Sequence, residues 1–199
     1  MNELPSLLYA AVLGAVDGLT GLDIKGWKTL LGHAHQEQLD GLLYLQCAAA
    51  DTDMPEEIRA RLRGRYWRTA EDNVVALQEL GGVLERLAEN GFEVLLMPGA
   101  ALLPLYPDPG CRPMDDIDIL VKPGELPEVR TALQAQGFLS PPRYEDLFSR
   151  GRVVLDLHAD LLNCSRISAR RHAGWMEVGE IWQGGRSTVV EGGPGYHVP

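Results

Sequence analysis

Cysteine is scarce in this sequence, and Cys47, Cys111 and Cys164 are odd in number, widely spaced and set in no C-x-x-C or Cys/His ligand pattern. That excludes a disulfide framework and a structural zinc site and points to a reducing, cytoplasmic setting. Positive charge is also short: 18 Lys and Arg stand against 28 Asp and Glu, for a net charge of -10. A protein that grips nucleic acid by neutralising many phosphates needs a basic groove, so this balance argues against nucleic acid as a partner. The late arginines Arg143, Arg150, Arg152, Arg166, Arg170 and Arg171 form either a solvated face or a local patch for a polyanion. Long apolar runs are missing too. The stretch from Leu7 to Val16 follows Glu3 and Pro5, lacks a basic start and is too short to span a bilayer, so it reads as neither signal peptide nor membrane helix.

What is present is ordinary globular material, 199 residues of which 45% are hydrophobic and 23% charged, enough for one principal domain with a helical extension. From Leu7 to about Ala50 the apolar residues recur at helical spacings, broken by Gly18, Gly21 and Gly32, which predicts short packed helices. His33 and His35 lie two apart, so a helix would point them to different faces and make them a poor metal pair. A longer helix is predicted from about Pro55 to Asn90, with Asp53 as cap, Gly91 as stop and a buried stripe through Ile58, Leu62, Tyr66, Leu77, Leu80, Leu84 and Leu87. The Gly81-Gly82 pair weakens it and would permit a bend.

After Gly91 the pattern changes to short apolar runs between Gly and Pro, so the chain divides into an N-terminal helical region, residues 1–91, and a mixed α and β region, residues 92–199. Strands are predicted at Val94-Leu95-Leu96-Met97, at Ile117 to Val121 and at Arg152 to His158, with helical segments from Gly99 to Tyr106 and from Glu125 to Gln136. The final stretch, with Gly184, Gly185, Gly192, Gly193 and Gly195, reads as loops. The expected class is α+β, helices packed on a small mixed sheet.

The chemistry lies in two of these strands. In Asp115-Asp116-Ile117-Asp118-Ile119-Leu120-Val121, strand alternation puts Asp116 and Asp118 on one face while Ile117 and Ile119 enter the other, and Asp115 reads as a turn residue. Like charges ~4 Å apart repel by about 4 kcal/mol at an effective dielectric of 20, so such a pair needs solvent or a cation. In Arg152-Val153-Val154-Leu155-Asp156-Leu157-His158 the apolar Val153, Leu155 and Leu157 face one way, and Val154, Asp156 and His158 the other. A lone carboxylate in so apolar a strand is a local misfit of the kind found at functional sites. If the two strands pair, three carboxylates converge, a set of hard oxygen ligands suited to Mg2+ or Mn2+ and to a nucleoside triphosphate that completes the coordination. Asp156 is then also the general-base candidate. Taken alone, the D-x-D pattern favours a solvated edge, an exposed turn or strand start, over a site, and Asp156 in its own strand shifts that balance. Pro98-Gly99-Ala100-Ala101, between a strand and a helical turn, offers free backbone N–H groups to phosphate. Arg112 either meets a phosphate or pairs with the acidic cluster, and His158 either touches the nucleotide or is a structural histidine.

Together these residues resemble the uncharacterised nucleotidyltransferase family related to the polymerase-beta-like superfamily, with a glycine turn before a D-h-D strand and a later strand that supplies another carboxylate. The likeness is densest over Leu95 to Leu102, Leu105 to Val121 and Val154 to His158, and the preceding helices fit it as well. The resemblance implies that Asp116, Asp118 and Asp156 bind catalytic cations, that Gly99 holds nucleotide phosphate, and that residues 92–199 form a nucleotidyltransferase core. Two departures stand out: Pro98 occupies a position where members commonly have Lys, and Ala100 one where the wider superfamily often has Ser. They imply phosphate binding that is either weakened or carried by backbone N–H groups and an arginine elsewhere. The family tends to continue with further helices, so a chain stopping at Tyr196-His197-Val198-Pro199 resembles a shortened member without the C-terminal helical portion.

The expected function is transfer of a nucleoside monophosphate from a triphosphate, ATP by default, to a hydroxyl acceptor on a small molecule or protein. Two alternatives share the same residues. One is a non-catalytic nucleotide- or metal-binding module of this fold, and the other a metal-dependent phosphate-ester hydrolase.

Overall fold

In a computed structural model of the chain, residues 3–161, 178–190 and 193–197 are described. Arg166, Arg170, Arg171, Cys164 and Gly192 of the sequence reading lie outside them. The chain forms two compact units, one of residues 1–73 with 105–113, the other of residues 74–104 with 114–199.

The first unit is helical. It holds α1 (Glu3–Val12), α2 (Ile24–Gln36), α3 (Asp40–Ala49) and the part of α4 (Glu56–Glu89) up to Asn73, with a 3-10 turn at Val16–Leu19. The Asp23 carboxylate accepts from the Gly26 backbone N–H at 2.7 Å and so caps α2. Trp27, Leu30 and Leu31 of α2 are buried with Leu8, Leu43, Ile58 and Leu62 from the other helices. Each such fully buried side chain contributes about 1.5–3 kcal/mol. Residues 105–113 return to this unit as a loop with a 3-10 turn at Pro109–Cys111. Its seat is tight: a Cβ added to Gly41 would lie 2.0 Å from the Gly110 carbonyl oxygen, and one on Gly110 would lie 2.6 Å from the Tyr66 ring. The fully buried Asn73 holds the loop, its Nδ2 donating to the carbonyls of Pro109 and Arg112, both at 2.7 Å. His35 faces Asp40 at 3.2 Å and joins no metal group among the described residues.

The second unit is the α+β part. It comprises the rest of α4, β1 (Val94–Leu96), β2 (Ile117–Val121), α5 (Leu126–Ala135), β3 (Leu147–Arg150), β4 (Val153–His158), α6 (Val178–Gly184), β5 (Arg186–Val190) and β6 (Gly193–His197). The strands form one mixed sheet in the order β3-β4-β2-β1-β6-β5. β2 runs parallel to β4 and antiparallel to β1, and β1 runs parallel to β6. On one face Ile117, Ile119, Val121, Val94, Leu96, Leu155 and Leu157 are buried against Leu80, Leu84 and Leu87 of α4 and Val129 and Leu133 of α5. On the opposite face Leu95, Met97 and Leu120 pack with Ile181 of α6.

The long helix runs without interruption through Gly81-Gly82, because Leu80, Val83 and Leu84 around the pair are buried and packing offsets the low helix propensity of glycine. One reading is corrected, that of the glycine-rich end as loops, and two elements are found that the sequence pattern left unassigned. Leu147–Arg150 is a strand, paired antiparallel to β4 with Phe148 opposite Leu155. A helix, α6, precedes the glycine-rich end. That end is a hairpin of β5 and β6, with Arg186 opposite His197 and Val190 opposite Gly193, since ladder hydrogen bonds need only backbone and override the poor strand propensity of glycine.

Candidate metal centre

The centre is built by the register of two strands. In the parallel pair Asp118 stands opposite Asp156 and Leu120 opposite His158. Alternation therefore gives Asp118, Asp156 and His158 to one face, while their neighbours Ile117, Ile119, Leu155 and Leu157 fill the core on the other. One oxygen from each carboxylate and one His158 ring nitrogen lie within 4.8 Å of one another. The Nε2 of His158 is 2.6 Å from Asp118 Oδ1 and 3.5 Å from Asp156 Oδ2. The three side chains are 6%, 29% and 15% exposed for His158, Asp118 and Asp156, so the imidazole is enclosed while the carboxylates keep a path to solvent.

Asp116 lies just before the first residue of β2 and is not in that group. It is nevertheless in electrical contact with it. Its carboxyl is held above the ordinary carboxylate range, first by loss of solvent around it and then by the negative charges of Asp118, Asp156 and Asp115, with His158 opposing. More of Asp116 is exposed than of Asp118 or Asp156.

β1 adds the glycine turn. The Met97 backbone N–H donates to the Asp118 carbonyl at 3.0 Å, so the chain leaves the sheet beside Asp118 before it enters the 3-10 helix Ala100–Leu105. Gly99 has a φ of 142°, which L side chains rarely adopt, and a Cβ there would meet no atom within 4 Å. The N–H groups of Gly99 and Ala100 donate to no other described residue. Arg112 belongs to the helical unit, where its Nη1 approaches the Tyr106 hydroxyl at 3.4 Å and its guanidinium sits 5.5 Å from the Tyr106 ring centroid. Its Nε is buried with no hydrogen-bond partner among the described residues.

Of the late arginines, Arg150 has structural partners. Arg150 bonds the Gln136 carbonyl at 2.7 Å, pairs with Glu79 and lies over Phe138, which ties β3 to α4 and α5 within the second unit. The sequence reading placed His158 on the same face as Asp156 but did not count it with the carboxylates. Two-residue spacing in a strand was the available signal.

Two carboxylates and an imidazole this close are a donor set that fits a divalent cation, with oxygen ligands from two side chains and a nitrogen ligand from the third. No helix among the described residues is long and apolar enough to cross a membrane. No curated protein and no solved structure matches the chain. A family model described as uncharacterised nucleotidyltransferase matches residues 24–199, which takes in every residue of the centre, and the chain belongs to that family.

Proposed function

We propose that the chain moves a nucleoside monophosphate from a nucleoside triphosphate, ATP by default, to a hydroxyl on a small molecule or protein. Family membership supplies nucleotidyl transfer as the class of chemistry. The observation that carries the finer reading is the in-register pair Asp118 and Asp156, with the Gly99 turn leaving the neighbouring strand beside it.

In this reading Asp116, Asp118 and Asp156 hold Mg2+ or Mn2+, which when bound neutralises phosphate charge and orients the triphosphate for in-line displacement. Gly99 and Ala100 direct their backbone N–H groups at a phosphate, and the open space over Gly99 lets it approach. Asp156 takes the proton of the acceptor hydroxyl as its oxygen attacks the α-phosphorus. The bond from that phosphorus to the bridging oxygen breaks, and pyrophosphate leaves. The sheet contributes pre-positioning, since both carboxylates are fixed by backbone pairing before substrate arrives.

A non-catalytic module of the same fold is the second reading, favoured by Pro98 and Ala100, which give the glycine turn neither a lysine nor a hydroxyl. Incubation with each triphosphate labelled in its α-phosphate separates the outcomes. Label on an acceptor, lost in Asp118→Asn, supports transfer. Binding of triphosphate without turnover supports the module, and free monophosphate formed with no acceptor supports hydrolysis.

A further inference from the structure

The transfer chemistry accounts for three carboxylates and leaves His158 without a task. We infer that His158 is a direct metal ligand through Nε2, and that it makes this centre select a first-row transition ion over Mg2+. The inference rests on the metal-dependent reading of the same site.

Three observations converge on it. The first is spacing: adjacent ligands about 2.1 Å from an octahedral cation stand about 3.0 Å apart. The separations of His158 Nε2, 2.6 Å from Asp118 Oδ1 and 3.5 Å from Asp156 Oδ2, bracket that value. The second is enclosure. The His158 side chain is 6% exposed and stands on β4 one alternation beyond Asp156, so the ring is held in the donor group with little room to turn to solvent. The third is ligand chemistry. Mg2+ dehydrates reluctantly and takes oxygen, whereas the transition series from Mn2+ to Zn2+ accepts imidazole increasingly well. Two carboxylates beside one imidazole thus form a mixed set that a transition ion uses fully and Mg2+ uses only in part.

The rival role for His158 is to orient Asp118 by donating an Nε2–H hydrogen bond to it. An orienting histidine would support every cation alike, so its loss would weaken Mg2+ and Mn2+ binding by the same factor. A ligand changes the ratio.

The experiment is a titration of the full chain with Mn2+ alone, followed by the electron paramagnetic resonance signal of the free ion, with Mg2+ affinity from competition. His158→Asp turns the set into oxygen donors only, and the preference for Mn2+ over Mg2+ should fall at least tenfold; His158→Gln should lose Mn2+ affinity more than Mg2+ affinity. Pulsed resonance on the Mn2+-loaded wild type should show coupling to an imidazole 14N, a signature that decides the question even if the variants do not fold. Bound Mn2+ without nitrogen coupling, or both affinities falling by the same factor, would overturn the inference and leave the metal-dependent reading standing. Absence of Mn2+ binding in the wild type, with or without a triphosphate, or binding untouched by Asp118→Asn, would overturn the metal-dependent reading as well.

Discussion

Replacing Asp118 with Asn should make the metal-free protein more stable and the metal-loaded protein less stable, a crossing that an ordinary structural aspartate would not produce. The Asp118 and Asp156 oxygens of the cluster lie within 4.8 Å of each other. Two unit charges at that distance repel by roughly 3.5 kcal/mol at an effective dielectric of 20. The neutral amide would remove that repulsion but would exchange a charge-assisted hydrogen bond with His158, 2.6 Å long, for a neutral one. That exchange costs about 1 kcal/mol. The side chains are 29% and 15% exposed, so water screens part of the repulsion. The net gain should be about 1–2 kcal/mol, or roughly 2–8 °C in Tm for a chain of this size. A cation at one hundred times its Kd adds about 2.7 kcal/mol to the wild type and little to the variant, which inverts the order. Thermal melts at pH 8 in EDTA and in Mn2+ test this. A variant that melts below the wild type in EDTA would refute the reasoning, because Asp118 would then be held by partners that compensate its charge.

Other substitutions probe the frame. Asn73→Ala strips the paired carbonyls of Pro109 and Arg112 of their donor and should cost about 2–3 kcal/mol in urea unfolding, with Asn73→Asp worse at neutral pH because a carboxylate would face both oxygens. Gly41→Ala drives a methyl to 2.0 Å from the Gly110 carbonyl, a clash of backbone with backbone, and should destabilise by about 3 kcal/mol or more, seen as faster proteolysis of the 105–113 loop. Burial pushes the Cys47 thiol up to about 11, with Thr52 and Arg59 opposing. A raised folded value means that stability is fully present below the unfolded value and is lost as pH climbs from about 9 to about 11, so Cys47→Ala should flatten the alkaline limb of a Tm–pH profile. The same burial should keep Cys47 from alkylation at pH 8 until the chain is unfolded, which mass spectrometry reads directly.

Patterns with a period were readable in the sequence, and pairings between distant segments were not. Ile117 to Val121 and Val153 to His158 announce themselves by alternation, because each must bury one face and carry carboxylates on the other. The span from Pro55 to Asn90 announces itself by a repeating stripe and a closing glycine. Leu147-Phe148-Ser149-Arg150 carries only two apolar residues, and its strand state comes from the ladder with β4. The glycine-rich end had the composition of loops, yet each of its strands finds a partner in the other. The return of residues 105–113 to the helical unit depends on two glycines far apart in the chain, Gly41 and Gly110, that happen to touch, and no local pattern encodes that. At the centre, alternation put Asp156 and His158 on one side, but the approach of His158 to Asp118 needed the parallel register.

That register also has a kinetic meaning. Asp118 and Asp156 come from strands separated by α5 and β3, so the charged cluster exists only after a long stretch of chain has folded back and docked. Non-local parallel pairing is slow to form, and until it forms the carboxylates are far apart and hold no cation. Capture of a cation in refolding would therefore time the closing of β2 on β4. A single residue inserted within β2 would send Asp118 into the space of Ile117 and Ile119, turning one miscounted position into a buried unpaired charge at the centre of the sheet.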